Sequence, residues 1–157
     1  MGDLFEAVRL AIPLIKRLEG CVLQAYPDPA SGGDPWTIGY GATGPEIVKG
    51  VVWTQTQADE DLAKQCAKLA TQIAGQVKVP LSPASRAALM SFAYNVGISA
   101  LSKSTLLKLI NQRKYKEAAD QFQRWNIAAG KVFPGLIRRR KIEREAFLAG
   151  LTPQNLT

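Results

Sequence analysis

The sequence predicts a mainly α protein with one small antiparallel sheet, an α+β chain, on three observations. Apolar residues recur at helical spacing behind local helix-start signals, among them Thr54-Gln55-Thr56-Gln57 and Ser82-Pro83. Between Gly20 and about residue 53 that period gives way to two short β-type runs flanking PDPASGGDP, a stretch crowded with turn residues. The third observation is size: 157 residues with 46% hydrophobic content suit a single domain whose core needs no disulfide staples.

Taken in order, Leu4 to Leu18 reads as a helix with Val8, Ile12 and Ile15 on one stripe. Pro13 inside it predicts a bend, or a break into two short helices, near Ala11 to Pro13. One more step of four carries the stripe to Glu19, followed by Gly20, the residue expected just past a helix end. Partial burial and the negative end of the helix both disfavour a carboxylate anion, so Glu19 is suited to hold and deliver a proton. Val22 to Tyr26 and Trp36 to Tyr40 then form a hairpin, and a turn centred near Ser31 and Gly32 sets Asp28 opposite Trp36 and Thr37. A proton-donating acid together with an ionised carboxylate able to orient water is the pairing of an inverting glycoside hydrolase.

The Thr54 to Gln57 capping box opens a helix over about 55–74, with Ala58, Leu62, Cys66, Leu69 and Ile73 inward. Ser82-Pro83 opens another through Leu89, Phe92 and Val96 to Gly97. Ser104 to Asn111 and Tyr115 to Trp125 give two shorter helices, and KVFPGLIRRRKIEREAFLAG gives the last, ending at Gly150. On a helical wheel Phe133, Leu136, Ile137, Phe147 and Leu148 share an arc with Arg140 and Arg144. Arg138, Arg139 and Lys141 are expected to be solvated, Arg140 to pair with a carboxylate, with Glu19 a candidate and Arg139 the rival for that role. Residues 151–157 read as a frayed tail.

Composition excludes several chemistries. Histidine is absent, and Cys21 and Cys66 are neither a disulfide framework nor spaced like a metal site, so no metal and no cofactor is expected and Ser-His catalysis is unsupported. Both thiols are expected to be unpaired and mostly buried, although a regulatory disulfide involving Cys21 is conceivable. No apolar run of about eighteen residues occurs and Leu4 to Leu18 carries four charges, so neither a membrane span nor a signal peptide is expected. Charge is unevenly placed: residues 1–77 hold six Lys or Arg against nine Asp or Glu, whereas 78–157 hold fourteen against four, a net of +10. Such a half attracts anionic partners, an envelope polymer or nucleic acid alike.

LIKRLEG, AYPDP and WTIGYGATG, with Glu19, Asp28 and Thr37 inside them, resemble the catalytic segment of the phage-type lysozymes, the endolysins and muramidases of glycoside hydrolase family 24. SFAYNVG and FQRWNIAAGKVFPGLIRRR extend the resemblance, which runs from about Leu14 to Leu148. It implies a lysozyme-like two-lobed fold around a cleft: a β-rich lobe over about 20–53, a linking helix over about 55–74 and a helical lobe over about 82–150, with no separate cell-wall-binding domain. It also implies hydrolysis of the β-1,4 bond between N-acetylmuramic acid and N-acetylglucosamine in peptidoglycan, causing lysis of the host cell. Glu19 would be the general acid, Asp28 with Thr37 would position water, and Tyr26, Asn95 and Arg140 would bind substrate. For Asn95 alone, capping of a helix terminus is an equal reading. The expected protein is a monomer, made in the host cytoplasm and exported by a holin to act in the periplasm, with peptidoglycan as partner, the anionic envelope a further possibility, and no nucleic acid.

The chain departs from the family in the eight residues between Asp28 and Thr37, a longer loop than the family carries. Either the turn is lengthened, as Gly32 and Gly33 favour, or the register slips by one and Asp34 becomes the second carboxylate. Two rivals to hydrolysis stay open: a lytic transglycosylase using Glu19 alone, and a cationic envelope- or membrane-binding protein whose carboxylates are structural.

Overall fold

The computed structural model describes residues 2–156. Its elements are α1 (Gly2–Leu18), β1 (Val22–Tyr26), β2 (Thr37–Gly39), α2 (Gln55–Gln76), α3 (Pro83–Val96), α4 (Ile98–Ser102), α5 (Thr105–Asn111), α6 (Tyr115–Gln121), β3 (Ile127–Ala128), β4 (Lys131–Val132), α7 (Pro134–Ala149) and α8 (Pro153–Leu156). The chain forms two compact units, one of residues 12–65 and one built from residues up to Ala11 together with those from Cys66 onward.

α1, which has residues in both units, runs on through Pro13 as one helix, not two. Its deepest residues, Ala7, Ala11 and Ile15, are at most 1% exposed and lie on both sides of the proline, so packing outweighs the roughly 3 kcal/mol an interior proline costs. The stripe is thus one residue round from the expected one, with Val8 and Ile12 half-buried. β1 and β2 pair antiparallel, and Ala25, Ile38, Ala42 and Ile47 form a core beneath them, flanked by Trp36, Val51 and Trp53. The capping box is made in full: Thr54 N–H donates to Gln57 Oε1 at 2.8 Å and Gln57 N–H to Thr54 Oγ1 at 3.1 Å.

In the larger unit Ser82 caps α3, accepting from Ser85 N–H at 3.2 Å, and Pro83 takes the first turn. α3 is buried nearly all round from Ala87 to Ala93, as a central helix must be, and α7 packs along it. Phe92, Phe122, Phe147 and Trp125 form a chain of tilted and edge-on rings with centroids 5.3–5.6 Å apart. Ser104 caps α5, accepting from Leu107 N–H at 3.1 Å.

Four expectations need correcting in this unit. α6 stops at Gln121 and a 3-10 turn takes Phe122–Arg124. Residues 127–132, partly assigned to the last helix, form a hairpin whose turn residues Ala129 and Gly130 both have positive φ. Phe133 and Ile137 face outward, 45% and 41% exposed, because the inward face of α7 belongs to Arg139, Arg140, Glu143 and Phe147. The supposed tail is α8, held by Asn155, which is buried and donates to the Pro80 carbonyl at 3.1 Å.

Candidate active site

Glu19 stands one step of four beyond Ile15, the innermost residue of α1, and its N–H donates to the Ile15 carbonyl at 2.7 Å. The helical ladder therefore reaches it, and its side chain is half-buried. A Cβ built on Gly41 would lie 3.9 Å from Glu19 Oε2. Gly41 has φ +98°, so a glycine suits the turn after β2, while a side chain there would make only ordinary contact with the acid.

A polar clasp holds this helix end. Lys16 Nζ lies 3.1 Å from Asp59 Oδ1 and 5.5 Å from the centre of the Tyr40 ring. Asp59 Oδ1 also accepts from Gln55 Nε2 at 2.9 Å and from the Tyr40 hydroxyl at 3.3 Å, while Gln55 Nε2 reaches the Tyr40 oxygen at 3.1 Å. The Gln55 hydrogen bond, then that of Lys16, hold the Asp59 carboxyl below its usual range; the bond to Asp59 raises Lys16, and burial raises the Tyr40 phenol. The sequence reading missed this clasp. Its only signal was the pair Gln55 and Asp59, four apart at the start of α2.

The hairpin register differs from the expected one. Val22 pairs with Gly39 and Tyr26 with Thr37, so β1 spends four residues where β2 spends two, and an irregularity lies between. Thr37 is therefore opposite Tyr26, not Asp28. Both side chains share the outer face, away from Ala25 and Ile38. Asp28 lies two residues on, where the chain closes a loop: its N–H donates to the Gly33 carbonyl at 2.9 Å and its carbonyl accepts from Gly32 N–H at 2.8 Å. Asp28 Oδ2 accepts from Ser31 N–H at 3.0 Å, Ser31 Oγ donates to the Asp34 carbonyl at 3.0 Å, and Thr37 Oγ1 donates to the Pro35 carbonyl at 3.4 Å. The eight residues form a self-bonded loop, exposed over most of its length, with Gly32 at φ +71° and a cis Asp34-Pro35 bond.

In the larger unit Asn95 is exposed at the penultimate position of α3. Arg140 is 1% exposed, its guanidinium 5.0 Å from the centre of the Phe92 ring. It donates to the Trp125 carbonyl at 2.8 Å, to Glu143 Oε1 and to Asn95 Oδ1. Arg139, expected in solvent, is 6% exposed: its Nε lies 3.1 Å from Glu143 Oε2 and its Nη2 donates to the Ser91 carbonyl at 2.9 Å. Glu143, fully buried, is thus the carboxylate both arginines share in this unit, and Ser91 Oγ donates to it at 2.6 Å. Its position three and four residues after the arginines was the available signal. Arg144, also assigned inward, pairs with Asp120 at 2.9 Å and keeps 35% of its side chain exposed.

Cys66 is buried and its thiol is pushed up to about 12 by desolvation, whereas Cys21 is exposed at the start of the hairpin segment, contrary to expectation. Among the described residues no group of three or more His, Cys, Asp or Glu could hold a metal ion.

A mainly helical protein with small antiparallel sheets matches the lysozyme-like muramidase structures. The phage lysozyme family model matches residues 16–143, and the chain belongs to that family of peptidoglycan-hydrolysing enzymes. It is 44% identical over 115 residues to the SAR-endolysin of Enterobacteria phage PA-2, covering 73% of this chain and 70% of that one. Among solved structures it resembles the muramidase domain of SpmX from Asticaccaulis excentricus, with TM-score 0.80, 34% identity and coverage of 92% and 97%. It also resembles the endolysin of Escherichia coli O157:H7 phage FAHEc1, with TM-score 0.79, 33% identity and coverage of 92% and 94%.

Proposed function

We propose that the chain is an endolysin with muramidase activity, hydrolysing the β-1,4 bond between N-acetylmuramic acid and N-acetylglucosamine with inversion at the anomeric carbon. Glu19 gives its proton to the glycosidic oxygen as the bond to C1 breaks. Water attacks C1 from the opposite face and passes a proton to Asp28, with Thr37 holding that water. The observation that carries the reading is the setting of Glu19: it closes a buried row of α1, with its carboxyl beside Gly41 at the end of β2. Asp28 suits the second role because Ser31 occupies Oδ2, and Oδ1 accepts no hydrogen bond among the described residues.

Tyr26, an aromatic ring 38% exposed beside Thr37, is proposed to bind the saccharide, as are Asn95 and, through it, Arg140. The +10 half is proposed to draw the protein to the anionic envelope. The site of action is the wall of the host cell, reached through a holin. Among the described residues no helix is long and apolar enough to cross a membrane.

Mass spectrometry of digested peptidoglycan tests the reaction, with NMR of the fresh product ends reading the anomer. Reducing muramic acid ends of inverted configuration are expected. Anhydro ends would replace the mechanism with transglycosylation, and an undigested glycan would overturn the enzymatic reading.

A further inference from the structure

The amide of Asn95 has a fixed polarity, set from below. Glu143 divides its carboxylate among Arg139, Arg140 and Ser91, which fixes the plane of the Arg140 guanidinium, and the Trp125 carbonyl and Phe92 ring hold the same plane from two other sides. Arg140 Nη2 then donates to Asn95 Oδ1 in a part-buried contact. A guanidinium has donors and no acceptor, so the amide cannot be turned over: with its NH2 inward, donors would face donors. Asn95 therefore sits at the exposed end of α3 with its oxygen engaged and its NH2 outward. Donation into the oxygen also polarises the amide and strengthens its outward N–H groups.

We propose that Arg140 and Glu143 are positioning residues that lock Asn95 as a one-way donor, and that the group it reads is the carbonyl oxygen of a substrate acetamido group. This rests on the proposal that Asn95 binds the saccharide. A hydroxyl can give or accept a hydrogen bond, so it would suit the amide in either orientation and gain little from the lock. The acetamido oxygen only accepts, and it is the group for which a fixed donor matters. A free amino group at the same position, protonated at neutral pH, would meet donor with donor.

The test compares kcat and KM on glycan strands of peptidoglycan and on the same strands after chemical de-N-acetylation, for the wild type, Asn95→Ala, Asn95→Asp and Glu143→Gln. Wild-type enzyme is expected to prefer the acetylated strand through KM. Asn95→Ala should reduce that preference roughly tenfold, the worth of one good hydrogen bond, with the loss read in KM. Asn95→Asp keeps an oxygen for Arg140 but turns an acceptor outward, and should reduce the preference further. Glu143→Gln, which loosens Arg140, should behave like Asn95→Ala if it folds; the two Asn95 variants, altered at an exposed side chain, decide the matter if it does not. Equal loss on both strands, with the preference unchanged in Asn95→Ala and Asn95→Asp, would overturn the inference while leaving the proposed function intact. A wild type that releases no glycan fragment from either strand would overturn the proposed function instead.

Discussion

Gly150→Ala tests how closely α7 meets the start of α3. Gly150 has φ −82° and ψ −9°, an ordinary helical conformation, so backbone freedom gives no reason for a glycine. Helix propensity alone predicts that alanine stabilises, by up to about 1 kcal/mol. Packing predicts the opposite. A Cβ at Gly150 would stand 2.6 Å from the Ser85 backbone nitrogen and 2.6 Å from Ser82 Oγ, and also against Ser85 Oγ. The backbone nitrogen cannot rotate away. Relief means withdrawing the end of α7, which breaks the bond from Ser85 Oγ to the Phe147 carbonyl, 2.8 Å, and disturbs the Ser82 cap. Overpacking costs about 1–3 kcal/mol, the bond about 1 and a weakened cap up to about 1, giving a net loss of roughly 1–4 kcal/mol after the propensity gain. For a domain of this size that lowers Tm by roughly 2–15 °C. Thermal unfolding followed by circular dichroism is the assay, and a Tm equal to or above that of the wild type would refute the packing argument.

Glu19→Gln should fold normally and lose peptidoglycan turnover by at least about a hundredfold, the low end of what a positioned acid contributes; near-native turbidity clearance would remove Glu19 from the mechanism. Asp28→Asn should be severely impaired and Asp34→Asn nearly normal, since Asp34 lies in the exposed loop; the reverse result in the same assay would transfer the second role to Asp34. Asp59, held below the usual aspartate range, stabilises the fold fully above that range and loses the contribution as pH falls through its lower native value. Melting curves of Asp59→Asn between neutral and acid pH should therefore slope less than those of the wild type, and parallel curves would show that the clasp contributes nothing. Activity on whole envelopes should fall with added salt more than activity on neutral oligosaccharides, and equal sensitivity would count against steering by the basic half.

What the sequence made legible was mostly local. Thr54 with Gln57, Ser82 and Ser104 announce helix starts because a cap involves residues three apart, and each is found in place. The stripe leading to Glu19 is local too, which is why the half-buried place of that residue could be read before the fold. The partner of Thr37 was not legible, because the two extra residues of β1 between Val22 and Tyr26 carry no compositional mark and move every pairing beyond them. The β3–β4 hairpin was hidden for a similar reason: Ala129 takes φ +51° where an Asn or Asp would have signalled the turn. α7 was misread because a hydrophobic wheel treats charge as outward. Its inward face is ionic, with two arginines and a glutamate satisfying one another and Ser91, a long-range arrangement that a single helix cannot declare.

The ribosome makes the two units in an unequal order. Residues 12–65 emerge as one uninterrupted run, and that unit can close while the rest of the chain is still being translated. The larger unit is drawn from two stretches of chain, and more than a hundred residues separate its first stretch from Glu143, on the order of ten seconds at ordinary elongation rates. Until then Ser91 and Asn95 lack the arginines that bind them. A chain released short of α7 would keep residues 12–65 whole and yet lack Arg139, Arg140 and Glu143, and with them the fixed amide proposed to grip the glycan.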